Sequence, residues 1–242
     1  LDARLASVYA TGNDMPDESL RAWTELIAAR SPVGRPDVLD VGAGTGMFAV
    51  AMARWAAARV AAIDASPAML DHAGHHRNVH YLVADATALP LADARFDLAL
   101  LSRVIHHLRD RRCAAAELKR VLRPGGAVVV RTTVRERLDS IAYQYWPELR
   151  ALDSGRFPSQ DEITADFTAA RLRPTEVLSF AQPVWPSLRA WRDSVRLRPQ
   201  SKFAYLDDTQ FRTGLQRLDR AVVTAADSDP ISERYDVLVF AA

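Results

Sequence analysis

Residues 40–46 read DVGAGTG, and Asp64 lies twenty positions beyond Gly44. Glycines at alternate positions let a backbone turn at dihedrals other residues avoid and let a ligand approach without a Cβ in the way. Where such a loop opens a helix, the free N–H groups of the first turn face the same spot. A carboxylate at the end of the next strand, as Asp64 would be, can accept bonds from both hydroxyls of a ribose. Asp40 puts negative charge beside the turn, which suits a cationic amino group better than a pyrophosphate. The dinucleotide fingerprint G-x-G-x-x-G/A calls for Gly or Ala at position 47, and Met47 stands there. The plain alternative is an ordinary tight turn with a solvated acid after it.

A second chemical pair is His106-His107, just past the fourth apolar run. Imidazoles titrate near neutrality, so either suits a general base for a hydroxyl or an acidic carbon. Capping the following turn is the competing reading. His72, His75, His76 and His80 fall in a helix-to-strand connection and read as surface residues. Cys113 stands alone, and no Cys/His spacing resembles a zinc or iron–sulfur site, so no metal is expected.

The elements that must carry these residues come from periodicity. Short aliphatic runs at 38–41, 58–64, 79–85, 96–102 and 126–132 alternate with helical stretches, the pattern of a parallel, doubly wound sheet. Phe48, Ala51, Met52 and Trp55 share one helix face, and Ala114, Leu118, Val121 and Leu122 share another that stops at Pro124-Gly125-Gly126. Beyond 133 the pattern turns helical, with a capping-box signature at Ser159 and Glu162 and an apolar stripe of Phe211, Leu215, Leu218 and Val222. Further strands are expected at 175–181 and 235–240, the latter as an edge or antiparallel strand. The fold class is thus α/β, a Rossmann-like, mostly parallel sheet of about seven strands with a helical lid or substrate lobe. The expected division is a helical lid segment over 1–35, a core over 36–133, a helical substrate lobe with one further strand over 134–230, and a terminal antiparallel strand over 231–242.

Composition narrows the partners. Hydrophobic residues are 49% and charged residues 25% of the 242, an ordinary folded balance. The 31 Lys and Arg nearly cancel the 30 Asp and Glu, which argues against a nucleic-acid partner. No apolar run reaches the roughly 18 to 20 residues a membrane span requires, and the opening LDARLASVYA lacks the apolar stretch of a secretory signal, so a cytoplasmic location is expected.

The segments DVGAGTG, AAIDASPAML, VADATALPLADARFDLALLS and LKRVLRPGG, in this order over about residues 36–133, resemble the class I S-adenosylmethionine-dependent methyltransferases. Within them the chain is most similar to the small-molecule branch that includes ubiquinone and natural-product methyltransferases. The resemblance implies S-adenosylmethionine as methyl donor and S-adenosylhomocysteine as product. It implies that Gly42, Ala43, Gly44 and Gly46 border the methionine part, with Asp40 near its amino group. Asp64 would hold the ribose, with Ala65 beside it also at the cofactor, Met69 would pack on the adenine, and Asp85 and Ala86 would bond the adenine edge. Ser102 would face the methionine moiety.

On the acceptor side, Tyr9 and Arg4 fall in a leading segment that in similar enzymes folds over the cofactor. Tyr143, Tyr145, Trp146, Trp185 and Trp191 fall in the lobe; Tyr9, Tyr143 and Trp146 are the candidate substrate contacts, though core packing explains these aromatics equally well. Between 171 and 220 ten basic residues face five acidic ones, which suits either an anionic partner or a solvated face. The leading expectation is methyl transfer to a small acceptor; RNA or a carrier-bound acceptor, and a non-catalytic cofactor-binding module, are the alternatives. Ser102-Arg103-Val104 stands where nucleic-acid amino methyltransferases usually resemble [DN]-P-P-[FY]. A nicotinamide dehydrogenase is disfavoured by Met47, and oligomeric state is not readable.

Overall fold

A computed structural model describes residues 15–198, 201–225 and 229–242. After the helix α1 (Asp17–Ala28), strands and helices alternate: β1 (Asp37–Val41), α2 (Met47–Trp55), β2 (Arg59–Asp64), α3 (Pro67–Leu70), β3 (Val79–Val83), β4 (Phe96–Ser102), α4 (Arg111–Val121) and β5 (Leu122–Thr132). Then come α5 (Ala142–Tyr145), α6 (Glu148–Arg156), α7 (Gln160–Ala169), β6 (Arg173–Trp185), α8 (Leu188–Val195), α9 (Asp208–Thr224) and β7 (Ile231–Ala241). The seven strands form one sheet in the order β3-β2-β1-β4-β5-β7-β6. Strands β1 to β5 pair in parallel, and β7 runs antiparallel to both β5 and β6.

The central strands are apolar on both faces because both are covered. In β4 every residue but the last is buried, as expected of a parallel strand under helices on both sides. One face packs under α4 and α7 through Ala114, Leu118, Ile163 and Phe167. The other packs under α1 and α2 through Trp23, Ile27, Phe48 and Met52. Ser159 caps α7 by the reciprocal pair anticipated from its spacing: its Oγ accepts the Glu162 N–H at 2.9 Å, and Glu162 Oε2 accepts the Ser159 N–H at 2.8 Å.

Three expectations about elements need correction. The run after α4 does not wait for the Pro-Gly-Gly turn: β5 begins at Leu122, paired with Phe96, and the register shifts between Phe96 and Leu98. Pro124, Gly125 and Gly126 are thus an irregularity within the strand span, with Gly125 at φ +81°. The strand expected at 175–181 runs from Arg173 to Trp185 and is itself an edge of the sheet. The C-terminal strand is antiparallel but not an edge, since it inserts between β5 and β6 with Leu238 and Phe240 buried.

The helical segment after β5 has its own small core around Trp146, with Trp191, Phe203, Phe211, Leu218 and Val222. Gly214 lets α9 approach, since a Cβ there would stand 2.0 Å from Trp146 Nε1. No helix among the described residues is long and apolar enough to cross a membrane.

Candidate active site

The strand order reverses between β1 and β4, and in open α/β sheets ligands bind beyond the C-terminal strand ends at that point. The glycine loop lies there. The N–H groups of Gly42 and Ala43 both donate to the Ile63 carbonyl, at 2.8 and 2.9 Å, tying the end of β1 to the end of β2. Gly42 and Gly46 hold φ of +69° and +75°. A Cβ on Gly42 would lie 2.3 Å from Val104, and one on Gly46 2.2 Å from the Tyr81 hydroxyl, so glycine is required at both by dihedral and by space.

Asp64 sits at the tip of β2, half-buried. Its Oδ2 accepts the Gly44 N–H at 2.9 Å and its Oδ1 the Ser66 N–H at 2.8 Å. A carboxylate has about four lone-pair positions, so two N–H donors orient it and leave capacity for two hydroxyls. Asp40 is 2% exposed, and its Oδ2 has no hydrogen-bond partner. Burial, and then the negative charge of Asp64, push its pKa up to about 7, with the Ala49 backbone N–H pulling the other way. A buried acid in that state fits a cationic neighbour, which would supply the missing partner and offset the burial. The residues present therefore fit an amino-acid sulfonium nucleoside, with the ribose at Asp64 and the amino group at Asp40.

The remaining expected contacts follow the same rim. Met69 in α3 is buried and Ala65 is exposed. Ala86 is buried beyond β3, while Asp85 beside it is exposed and bends the chain: its Oδ1 accepts the Thr87 N–H and hydroxyl, both at 2.8 Å, and these bonds hold its carboxyl below the usual range. Ser102 ends β4, and its Oγ accepts a 3.3 Å bond from Arg131.

A pocket opens beside the tips of β4, β5 and β7, under the helical lobe, lined among others by Arg103, His106, Tyr143, Lys202, Glu233 and Tyr235. The His106 ring lies against those of His107 and Phe157, tilted by 43° and 36° with centroids 4.1 and 4.4 Å away, and its Nδ1 is buried without a hydrogen-bond partner. Burial, then the neighbouring His107, Arg103 and Arg156, push its pKa down to about 2. His107 is exposed by comparison and is lowered by burial and by the same two arginines, with Asp64 opposing. Tyr143 donates its hydroxyl to Asp153 Oδ2 at 2.8 Å, and burial followed by that carboxylate raises its pKa.

Trp146 does not reach the pocket wall. It is fully buried in the lobe core, with Nε1 donating to the Phe211 carbonyl at 3.1 Å. Trp191 is buried beside it. Tyr9 and Arg4 lie outside the described residues. His72, His75 and His80 are exposed and His76 half-buried, where its Nδ1 accepts the Asn78 N–H. Among the described residues no cluster of three or more His, Cys, Asp or Glu is arranged to hold a metal ion.

Sequence reasoning missed the charged side chains that define the pocket. Arg103, the residue after β4, holds a left-handed φ of +57°, and its N–H donates to the Arg131 carbonyl at 2.7 Å. Arg131 is 2% exposed, with its guanidinium 3.7 Å from the Tyr235 ring centroid and 4.4 Å from that of Trp23. An arginine inside the run GAVVVRT was a signal available in the sequence, since arginine is almost never fully buried without a partner. Lys202 and Glu233 carried none, because only the fold brings them together.

Residues 39–130 match the family model described as a methyltransferase domain. The chain is 37% identical over 157 residues to a malonyl-[acyl-carrier protein] O-methyltransferase of Pseudescherichia vulneris, covering 62% of this chain and 61% of that protein. It is 41% identical over 111 residues to a demethylmenaquinone methyltransferase of Mycobacterium marinum, 46% of this chain and 47% of the relative. The chain thus spans roughly half of the length of the curated relatives it matches. A solved structure of a methyltransferase ascribed to an antibiotic biosynthesis pathway of Anabaena variabilis superposes with a TM-score of 0.74 at 23% identity, over 89% of this chain and 96% of the other. The stretch that holds the glycine loop and the acid pair is thus the stretch that matches a methyltransferase domain, and it is similar in sequence to the methyltransferases named above.

Proposed function

We propose that this chain binds S-adenosylmethionine across the tips of β1, β2 and β4 and transfers its methyl group to a small-molecule or carrier-bound acceptor. The observation that carries the reading is the buried Asp40, with an oxygen lacking a partner, set beside an Asp64 already oriented by Gly44 and Ser66. When bound, the sulfonium would supply an electrophilic methyl group to the acceptor, with the thioether as leaving group. Asp40 offers charge and an acceptor to the amino group, and Gly42, Ala43, Gly44 and Gly46 leave room for the amino-acid portion. Asp64 and Ala65 meet the ribose; Met69, Asp85 and Ala86 meet the adenine. Ser102 is held by Arg131 at the methionine end.

The protein's task in such a displacement is alignment and exclusion of water rather than proton transfer. With its pKa near 2, His106 is neutral at physiological pH and a weak base, so we read it as a neutral wall of the acceptor pocket. His107, next to it in the chain and the more exposed, stays the candidate proton acceptor, although it does not line that pocket. Tyr143 contributes to the same pocket. We place the reaction in the cytoplasm, in line with the lone exposed Cys113.

A carrier-bound acceptor stays within this reading because three relatives are named for malonyl-[acyl-carrier protein]. The test is formation of S-adenosylhomocysteine when the protein is incubated with methyl donor and fractionated acceptor extracts. Product in any fraction, undiminished by a chelator, is the expected result. Tight donor binding without turnover in every fraction would favour a non-catalytic module instead.

A further inference from the structure

We propose that Arg131 binds the carboxylate of the donor's amino-acid portion while Asp40 takes its amino group, a role that rests on the S-adenosylmethionine reading above. It completes the recognition of a zwitterion, which the glycine loop and the two acids leave half unmet.

Two side chains of opposite charge lack partners on one face of the sheet. Leu39, Leu101 and Val130 pack on the side of α4 and α7. By the two-residue alternation of a strand, their neighbours Asp40, Ser102 and Arg131 stand on the opposite face, under α1 and α2. Parallel pairing sets β1 beside β4, and Ser102 of β4 directly beside Arg131 of β5. Both charges lie under the first turn of α2: the Ala49 N–H bonds Asp40, and Arg131 Cζ is 5.4 Å from the Phe48 ring centroid. Asp40 Oδ2 and the Nε and Nη2 of Arg131 are all buried without a hydrogen-bond partner. An amino-acid head carries an ammonium and a carboxylate on one carbon, so a single ligand group can complete both.

The surroundings of Arg131 do not supply the anion. The rings of Tyr235 and Trp23, with centroids 3.7 and 4.4 Å from Cζ, attract the charge but offer its N–H groups no lone pair in a hydrogen-bonding position. The Tyr235 hydroxyl is directed to Glu233 Oε2, to which it donates at 3.0 Å. No ion pair among the described residues includes Arg131. An apolar side chain would fill the same space without the cost of burying an ion, so the core alone gives no reason for a guanidinium here. Its one hydrogen bond among the described residues runs from Nη1 to Ser102 Oγ at 3.3 Å, longer than the usual N–H···O range. Ser102 is half-buried at the tip of β4, next to the strand that carries the glycine loop. The Nη1 edge of the guanidinium is thus the one turned to the donor rim, and its planar fork matches the two oxygens of a carboxylate.

The experiment titrates two ligands into the full chain by calorimetry: S-adenosylhomocysteine, and 5′-(3-aminopropylthio)-5′-deoxyadenosine, which keeps the adenosine, the thioether and the amino group and lacks only the carboxylate. The wild type should prefer S-adenosylhomocysteine by roughly ten- to a hundredfold, the range of hydrogen bonds to a charged group. Arg131→Met should lose most of that preference with its affinity for the decarboxylated ligand unchanged. Arg131→Lys keeps the charge without the fork; it should retain part of the preference, and it guards against a methionine variant that fails to fold. A merely structural arginine would instead weaken both ligands alike when replaced. That result, or equal affinity of the wild type for the two ligands, would overturn the proposal and leave the donor reading in place. A wild type that binds neither ligand would strike the donor reading, and this role with it.

Discussion

Asp40 is a carboxyl kept away from water beside a second acid, and this has a consequence for pH. Its pKa in the fold, about 7, lies above the ordinary 3.8, so the fold favours the protonated form. The stability it contributes is therefore complete below about pH 4 and is lost as pH rises through 7. The melting temperature of the ligand-free protein should fall between pH 4 and 7 by more than that of Asp40→Asn; parallel curves would contradict the assignment. A cationic amino group at Asp40 would reverse the shift, so donor binding at pH 7 should release about half a proton from Asp40, and more toward pH 6. Calorimetry in buffers of different ionisation enthalpy checks this. The glycines are a second test at this scale: Gly42→Ala and Gly46→Ala should each cost roughly 1–3 kcal/mol, from the left-handed φ and the overlap with Val104 or Tyr81, read as a lowered denaturation midpoint. These positions were legible in the sequence, because a glycine loop between a strand and a helix leaves few ways to fold. Arg103, Lys202 and Glu233 were not, because residues 103, 202 and 233 meet only through tertiary structure.

Among the elements, the parallel strands were legible because burial on both faces makes them continuous apolar runs, and β4 matches its expected bounds of 96–102. The strand expected at 79–85 ends at Val83, since Asp85 bonds Thr87 and turns the chain. The place of β7 inside the sheet was not legible, because an apolar run of its length is equally consistent with an edge or an interior partner. The lobe shows why aromatics mislead. Trp146 was a candidate substrate contact, yet it anchors α5 against α9, where Gly214 makes room for its indole. Trp146→Ala should lower stability by about 3–5 kcal/mol while the affinity for S-adenosylhomocysteine stays within about twofold, because the donor rim is built from other elements. Loss of donor binding in a folded Trp146→Ala protein would show that the lobe and the rim are not separable in this way.

For the whole molecule, the sheet brings two kinds of chemistry to one edge. On the β3-β2-β1-β4 side lie the glycine loop and two acids, suited to a cationic nucleoside; on the β4-β5-β7 side lies a pocket lined by charged and hydroxyl-bearing side chains. Ser102 and Arg131 join them by a hydrogen bond, and the order of strands, not any single motif, makes them neighbours. The central claim is that the donor is gripped at the tips of β1 and β2. Titration of S-adenosylhomocysteine into the wild-type chain and into Asp64→Ala tests it most directly. The account predicts saturable binding to the wild type and a loss of roughly 1–3 kcal/mol in the variant, as its backbone and ribose partners lose their acceptor. No binding to the wild type, or the same affinity in both, would contradict it.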